Sequence, residues 1–259
     1  EHADTNPHTS EGIFVYDNGF GIAVEAGDVV RVAGEVSEYF GATQLAEISA
    51  VEVCATGELE SVSPATFELP TNDFIELESL EGMWVTSEQP LTVTEVFSAV
   101  RFGELQVSNG RLYEPTQVAA PGEAARAQLA DNARNKIILD NARTGTYRTP
   151  YLNGADGSEV NALNPIRNGF IVKPEFTGHM GFSFGSYRVH VGTDIPFMET
   201  ANQRPEPISR VTGSNLRVAT FNVENLFATL SVSGATCGPN DLSCRGASTT
   251  EDLERQLAK

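Results

Sequence analysis

The segment MWVTSEQPLTVTEVF at residues 83–97 decides the fold. Its second half, from Leu91 to Phe97, alternates apolar and polar residues, and we expect the whole segment from Met83 to Phe97 to form one long β-strand. Pro121–Arg134 is rich in Ala, Glu, Gln and Arg and predicts one surface helix with a thin buried stripe. Further short, β-rich segments follow the first strand: Glu104–Ser108, Arg111–Tyr113, Lys136–Leu139, Gly169–Val172 and Tyr187–Val191.

The order of these elements predicts a small Greek-key barrel. Three strands, a helix and two closing strands that end at Val191 follow the chain order of an OB-fold, a five-stranded barrel. The residues from Asn141 to Arg167 are rich in Gly, Asn and Asp, and we expect them to form a long surface loop.

An internal repeat indicates a second barrel upstream. Three features recur at a constant offset of 144 residues: Gly34, Phe40-Gly41 and Leu45 are matched by Gly178, Phe184-Gly185 and Val189. The sequence therefore predicts a mainly β protein with tandem OB-like barrels. We place the first at residues 1–66, without its opening strand, the second at 67–200, a linker at 201–213 and a different segment at 214–259.

The chain is strongly acidic. It has 17 Lys and Arg against 35 Asp and Glu, a formal net charge of −18 over 259 residues. This charge argues against broad contact with phosphate backbones, so nucleic-acid chemistry would need a divalent cation between protein and phosphate. No uninterrupted apolar run reaches about 18 residues, so the sequence predicts no membrane span.

The three cysteines are unevenly placed. Cys237 and Cys244 flank a Gly-Pro-Asn turn, which can bring their Cα atoms within disulfide range, and their spacing does not suit a zinc ribbon. We expect a disulfide here and, because disulfides persist in oxidising compartments, an extracellular or cell-surface location. Cys54 lies in an alternating segment and is expected to be a buried free thiol.

Residues 216–227, LRVATFNVENLF, predict an apolar strand that ends in polar residues. Such a strand would deliver Asn222 and Glu224 at its C-terminal end, where an amide and a carboxylate could bind a metal ion. The alternative is that Asn222 and Asn225 only satisfy backbone groups in a turn.

The same segment resembles a known family. RVATFNVENLF (217–227) is similar to the opening strand of the endonuclease/exonuclease/phosphatase superfamily, the fold of the deoxyribonuclease-I-like enzymes. CGPN…CRGA (237–247) and ERQ…K (254–259) resemble the next loop and first helix of large secreted bacterial nucleases of the ExeM type. GEVSEYFG…QL (34–45) and GRLYEPTQ (110–117) resemble the OB-like region that precedes the nuclease in those proteins, so the similarity runs in one order along nearly the whole chain.

The resemblance implies a fragment of a secreted metal-dependent nuclease that hydrolyses phosphodiester bonds of extracellular DNA. Asn222 would lie in the active site and help to organise metal and phosphate. Glu224 is not carried over from the family, because its position in the motif would serve folding equally well. Mg²⁺ is the expected ion, with Ca²⁺ or Mn²⁺ as alternatives, and it would neutralise the scissile phosphate. Because the family's other catalytic motifs follow the first helix, residues 214–259 would supply only the first strand and helix of an incomplete α/β-sandwich domain. We expect residues 1–259 to be inactive alone.

The barrel offers candidate nucleic-acid contacts in two inter-strand connections, because OB-folds bind single strands with basic grooves and aromatic platforms. The candidates are Arg101, Phe102, Tyr187 and Arg188, together with Phe97, Phe182 and Phe184. Small barrels also need aromatic residues to fill the core, and the net charge of −18 favours that interpretation here.

A function of a different class is a non-catalytic extracellular module, structural or adhesive, built from repeated barrels. Open strand edges could also recruit a second chain by strand addition.

Overall fold

The computed structural model describes residues 4, 6–161, 163–198, 202, 211–220, 222 and 226–258. The chain divides into two units, Glu1–Gln203 and Arg204–Lys259. The first unit is mainly β, as the sequence predicts, and contains two sheets.

The N-terminal sheet has three strands in the order β1-β3-β2. The long strands β2 and β3 form an antiparallel ribbon, and β1 is parallel to β3. Most residues of the ribbon are exposed, and Ala46 is its buried residue. The strands are β1 (Phe14–Val15), β2 (Val29–Tyr39) and β3 (Ala42–Ala55).

The second sheet has eight strands in the order β4-β5-β10-β11-β8-β7-β6-β9. The β4–β5 and β8–β11 pairs are parallel, and the other pairs are antiparallel. The strands are β4 (Ala65–Thr66), β5 (Trp84–Ser87), β6 (Leu91–Glu95), β7 (Glu104–Asn109), β8 (Ile137–Asp140), β9 (Ile171–Val172), β10 (Phe176–Ser183) and β11 (Ser186–His190).

The connection between β5 and β6 forces this sheet to curl. The two strands lie five positions apart in the sheet, which would separate them by about 24 Å if the sheet were flat. The chain from Ser87 to Leu91 spans at most about 14 Å. The sheet therefore bends into a half-barrel. The single long strand predicted for Met83–Phe97 is wrong, because the chain forms two strands there, β5 and β6, which lie near opposite ends of the sheet.

The core lies inside the curled sheet and follows the two-residue period of its strands. Leu105 and Val107 of β7, Leu139 of β8 and Val189 of β11 are fully buried and face one another across the sheet. Residues between them point to the other side of the sheet. The functional side chains described below lie on that outer side.

The structure confirms the helix and corrects the strand that the sequence placed before it. The helices of the first unit are α1 (Ile75–Glu78), α2 (Pro115–Val118) and α3 (Glu123–Arg134), and α3 buries Ala125. Arg111–Tyr113 forms no strand. Because β6 and β8 already pair with both edges of β7, no edge is open to residues 111–113, and β8, after the helix, takes their place.

The segment 141–167 is irregular, as predicted, but it is not only a surface loop. Leu152 is fully buried and Ile166 nearly so, and both belong to the core. Asn164 is buried and donates from its amide to Asp156 and to the carbonyl of Ser158, which fixes the turn between them. These apolar anchors hold the long connection against the sheet.

The second unit contains a short hairpin and a helix. β12 (Thr236–Cys237) pairs with β13 (Leu242–Ser243), and α4 spans Thr250–Ala258. Thr249 caps α4, because its hydroxyl accepts a hydrogen bond from the backbone N–H of Asp252 at 3.1 Å. The strand predicted over 216–227 is not formed at residues 216–220. Leu216 and Val218 are 75% and 80% exposed, and no strand among the described residues pairs with this segment.

Candidate functional site

A cleft of about 920 Å³ lies on the outer side of β7, β8 and β11. The register of the three strands explains which side chains meet there. Glu104 pairs with Asp140, and Asp140 pairs with His190, so these three residues form a row across the sheet. Arg188 lies two residues before His190 and shares its face. The strand pairing thus places two carboxylates, a guanidinium and an imidazole side by side.

Arg188 lies at the centre of the cleft and is bound by both carboxylates. Its Nη1 donates to Oδ2 of Asp140 at 2.5 Å and to Oε1 of Glu104 at 2.8 Å, and its Nη2 donates to the carbonyl of Ser183 at 3.0 Å. The Arg188 side chain is only 4% exposed. Its charge is therefore balanced within the protein, which leaves little of it for a phosphate.

Asp140 is held in its ionised form. Burial would raise the pKa of its carboxyl group, but the neighbouring His190, the Arg188 guanidinium and the backbone N–H of Ala142 outweigh burial and lower the pKa. Ala142 N donates to Oδ1 at 2.7 Å, whereas Nδ1 of His190 lies 3.7 Å from the same oxygen. The imidazole therefore acts as a nearby positive or polar group rather than through a tight hydrogen bond.

Aromatic side chains from two loops line the same cleft. Phe102 precedes β7 and is 36% exposed, and Phe184 in the β10–β11 turn is 94% exposed. Cζ of Arg188 lies 5.8 Å from the centre of the Phe184 ring, and Cζ of Arg101 lies 4.9 Å from that of Phe102. Phe97 is also exposed, at 81%, but does not line the cleft. The expectation that the loop aromatic residues fill the core is wrong for Phe97, Phe102 and Phe184, which are exposed, whereas Tyr187 packs against the core.

The four predicted nucleic-acid contacts are only partly brought together. Phe102 and Arg188 line the cleft, and Arg101 lies over the Phe102 ring. Tyr187 precedes Arg188 in β11 and points to the other face, where its hydroxyl donates to Glu78. Burial, and then this hydrogen bond, raises the pKa of Tyr187. Tyr187 therefore does not contribute to the cleft.

Sequence reasoning missed Glu104, Asp140 and His190 as members of this site. Arg188 was a candidate nucleic-acid contact, and the structure places it among the buried residues. Arg188 and His190 are two residues apart in a predicted strand, so the sequence does indicate that they share one face of β11. What the sequence lacked was the pairing of β11 with β8, two segments that are about fifty residues apart.

Of the two predicted metal ligands, Asn222 and Glu224, the structure describes only Asn222. Asn222 is exposed and outside any strand, and Glu224 lies outside the described residues. The described part of the chain holds no group of three or more His, Cys, Asp or Glu side chains placed to bind a metal ion. Mg²⁺ takes several oxygen ligands in octahedral geometry, so one amide does not make its site.

Of the two cysteine predictions, one is confirmed and the other is wrong. Cys237 and Cys244 form a disulfide, with Cα atoms 5.2 Å apart, as predicted. Cys54 is exposed rather than buried, because the ribbon that contains it has few residues covered by another layer. Within the described residues, no helix is both long enough and apolar enough to cross a membrane.

No family model, curated protein or solved structure matches this chain.

Proposed function

We propose that this chain is part of a secreted, metal-dependent nuclease and that its first unit binds unpaired bases of DNA in the cleft around Arg188. The observation that carries the binding proposal is the pair of accessible rings, Phe102 and Phe184, on two loops of one cleft. Aromatic rings that project into a cleft provide stacking surfaces for bases of any sequence.

The strand order supports an OB-like interpretation of this unit. If residues 84–95 count as the first strand, then β7, β8, β10 and β11 are the second to fifth, and each pairs with the neighbour that an OB-fold requires. The cleft then lies on the face of the second and third strands. Phe102 belongs to the first connection and Phe184 to the last, which are the loops that OB-folds use for oligonucleotides. One difference is that α3 precedes the third strand.

The electrostatics favour base stacking over phosphate binding. Glu104 and Asp140 balance Arg188, and the chain as a whole carries a net charge of −18. Arg143 also lines the cleft, and Arg101 lies beside Phe102. We therefore expect modest affinity and a shallow dependence on salt, because few phosphate contacts mean few released counterions.

The catalytic part of the proposal depends on the resemblance of residues 217–227 to the nuclease superfamily. Asn222 and Glu224 are its candidate ligands for Mg²⁺, or for Ca²⁺ or Mn²⁺. The Cys237–Cys244 disulfide fits a secreted protein. Residues 1–259 should not cleave DNA when Mg²⁺ is added, and magnesium-dependent cleavage by them would contradict the proposal.

Fluorescence anisotropy with a labelled oligothymidine at low salt tests the binding. We expect saturable binding of the single strand and weaker binding of a duplex of the same length. Phe102→Ala and Phe184→Ala should each weaken binding by about tenfold, in line with 1–3 kcal/mol per stacked base. Phe97→Ala is the matched control, because Phe97 is exposed but lies outside the cleft.

The same titration distinguishes base binding from the alternative function, which is that of a non-catalytic module. The balanced charge of Arg188 is the observation that favours a non-catalytic structural or adhesive module, since a nucleic-acid surface would usually keep its cations free. Absence of binding at low salt, or an equal loss in all three variants, would contradict the base-stacking proposal and favour that alternative.

A further inference from the structure

The outer edge of β2 is the longest unpaired strand edge in the described part of the chain. β2 pairs with β3 on one side, and the described residues place no strand on its other side. This pairing has two irregularities: one skips Cys54 of β3, and the other skips residues 47–49 of β3 together with Gly34 of β2. β2 nevertheless remains a single strand of eleven residues. Such an edge presents unpaired N–H and C=O groups that favour addition of another strand.

One face of the ribbon is apolar and accessible. Val30, Val32 and Val36 alternate along β2 on this face, opposite Val53, Val51 and Leu45 of β3. Val36 is 70% exposed and Val30 is 40% exposed. Apolar surface of this extent, when it is not covered within a molecule, commonly marks an interface.

The other face of β2 is charged. Arg31 and Glu35 lie on it, two residues either side of Ala33. Within the chain, Arg31 faces Glu52 at 3.7 Å, and both side chains are largely exposed. Glu35 pairs across the ribbon with Ala46, which has no charge. A strand that adds to this edge would therefore meet one positive and one negative side chain in a fixed order.

We propose that two copies of this chain pair their β2 strands antiparallel about a twofold axis at Ala33. In this register, Arg31 of each copy lies opposite Glu35 of the other, and Val30 lies opposite Val36. The two ribbons form one continuous sheet, with the valines on one face and the two ion pairs on the opposite face. Pairing extends over Val29–Ser37. It ends there because the next residue, Glu38, would lie opposite Asp28 of the other copy, and both side chains are acidic.

The charge pattern favours this register over its neighbours. It also favours a second copy of the chain as the strand that adds to the β2 edge. Moving the axis to Val32 places Arg31 opposite Ala33 and Glu35 opposite Val29, which leaves both charges without partners. An axis at Gly34 places Arg31 opposite Ser37 and Glu35 opposite Ala33. The edge is therefore complementary to itself about Ala33, as an isologous interface requires. Opposite charges on facing strands stabilise the pair, whereas like charges destabilise it.

Analytical ultracentrifugation of residues 1–259 over a dilution series tests the proposal. All proteins carry Cys54→Ser, because the exposed thiol could form a covalent dimer and a reductant would open the Cys237–Cys244 bond. We expect a reversible dimer. Arg31→Glu and Glu35→Arg should each raise the dissociation constant by about tenfold or more, because each places like charges opposite one another twice in the dimer.

The double variant R31E/E35R is the decisive measurement. It recreates opposite charges across the twofold axis and should return the dissociation constant to within about threefold of the parent. Glu52→Arg is the matched control, because it disrupts the pair within one chain and lies outside the proposed contact. A monomer at every concentration, or a double variant as weak as the single variants, would overturn the proposal.

Discussion

Nη1 of Arg188 lies 2.5 Å from Oδ2 of Asp140, and the two side chains are only 4% and 8% exposed. This contact joins β11 to β8, and the second contact of Arg188, with Glu104, extends it to β7. Removing charges from water is costly, and such a pair is stable only when its geometry and further hydrogen bonds compensate. The backbone of Ser183 and Ala142 supplies those further bonds. The floor of the cleft is therefore a rigid network.

Breaking this network should strongly destabilise the first unit. Arg188→Met leaves two carboxylates facing each other without a cation, and we expect a loss of about 3–5 kcal/mol in the free energy of unfolding. Urea denaturation followed by fluorescence reports on this unit alone, because Trp84 is the single tryptophan and lies in β5. The control is Arg31→Ala. It removes an exposed ion pair with Glu52 and should lower the free energy of unfolding by less than about 1 kcal/mol. Equal losses in the two variants would contradict the role assigned to the network.

The sequence was a good guide to local structure. Leu91–Phe97 alternates and gave a strand, Pro121–Arg134 is rich in helix formers and gave α3, and the turn between Cys237 and Cys244 gave a disulfide. In each case the determining residues are near one another in the chain. The sequence was a poorer guide to the site, because the cleft depends on the pairing of β7, β8 and β11. Arg188 is buried only because that pairing brings Glu104 and Asp140 to it.

The dependence on pairing between distant strands also explains where the sequence predictions were wrong. Arg111–Tyr113 has strand-like residues but finds no open edge beside β7, so it forms no strand. Phe184 belongs to a repeated Phe-Gly step that suggests core packing, yet the backbone at Phe184 has a φ of +51°, and this turn conformation leaves the ring 94% exposed. Whether a side chain faces the core or the solvent depends here on tertiary pairing that local patterns do not contain.

Stability should fall as pH rises because of Glu81. This side chain is 7% exposed, and among the described residues its Oε2 has no hydrogen-bond partner. The pKa of Glu81 is raised from 4.5 to about 7. Burial is the main cause and the nearby Glu78 and Glu38 add to it, whereas a hydrogen bond from the backbone of Thr43 partly offsets them. The folded state thus holds this proton more tightly than the unfolded state does.

The pH window follows from that difference. The contribution of Glu81 is complete below pH 4.5, is lost progressively as pH rises, and is gone once pH exceeds about 7. The loss should approach about 3 kcal/mol, since each pKa unit corresponds to about 1.4 kcal/mol. Glu81→Gln should flatten this part of the curve in urea denaturation, whereas Glu88→Gln, at an exposed position, should not. A curve for Glu81→Gln that keeps the full slope would refute the assignment.

Cys54 should react without unfolding of the protein. It lies near the end of β3 and is exposed, whereas the other two cysteines are joined. An Ellman titration in native buffer should therefore release one equivalent of thiolate, and Cys54→Ser should release none. The same single equivalent should appear in denaturant without reductant. A second or third reactive thiol would show that the Cys237–Cys244 bond had not formed.

The Cys237–Cys244 bond should stabilise the hairpin of the second unit and leave the first unit unchanged. It closes a loop with a sequence separation of 7, for which chain entropy predicts about 2–3 kcal/mol. Around it, the hydroxyl of Ser231 donates to the carbonyl of Cys244 at 2.5 Å, and its N–H donates to Ala247 at 2.7 Å. In C237S/C244S, limited proteolysis with mass spectrometry should detect faster cleavage within residues 236–247. The urea midpoint reported by Trp84 should stay the same, because the core of the first unit contains neither cysteine. Unchanged proteolysis would mean that the hydrogen bonds of Ser231 suffice to hold the hairpin.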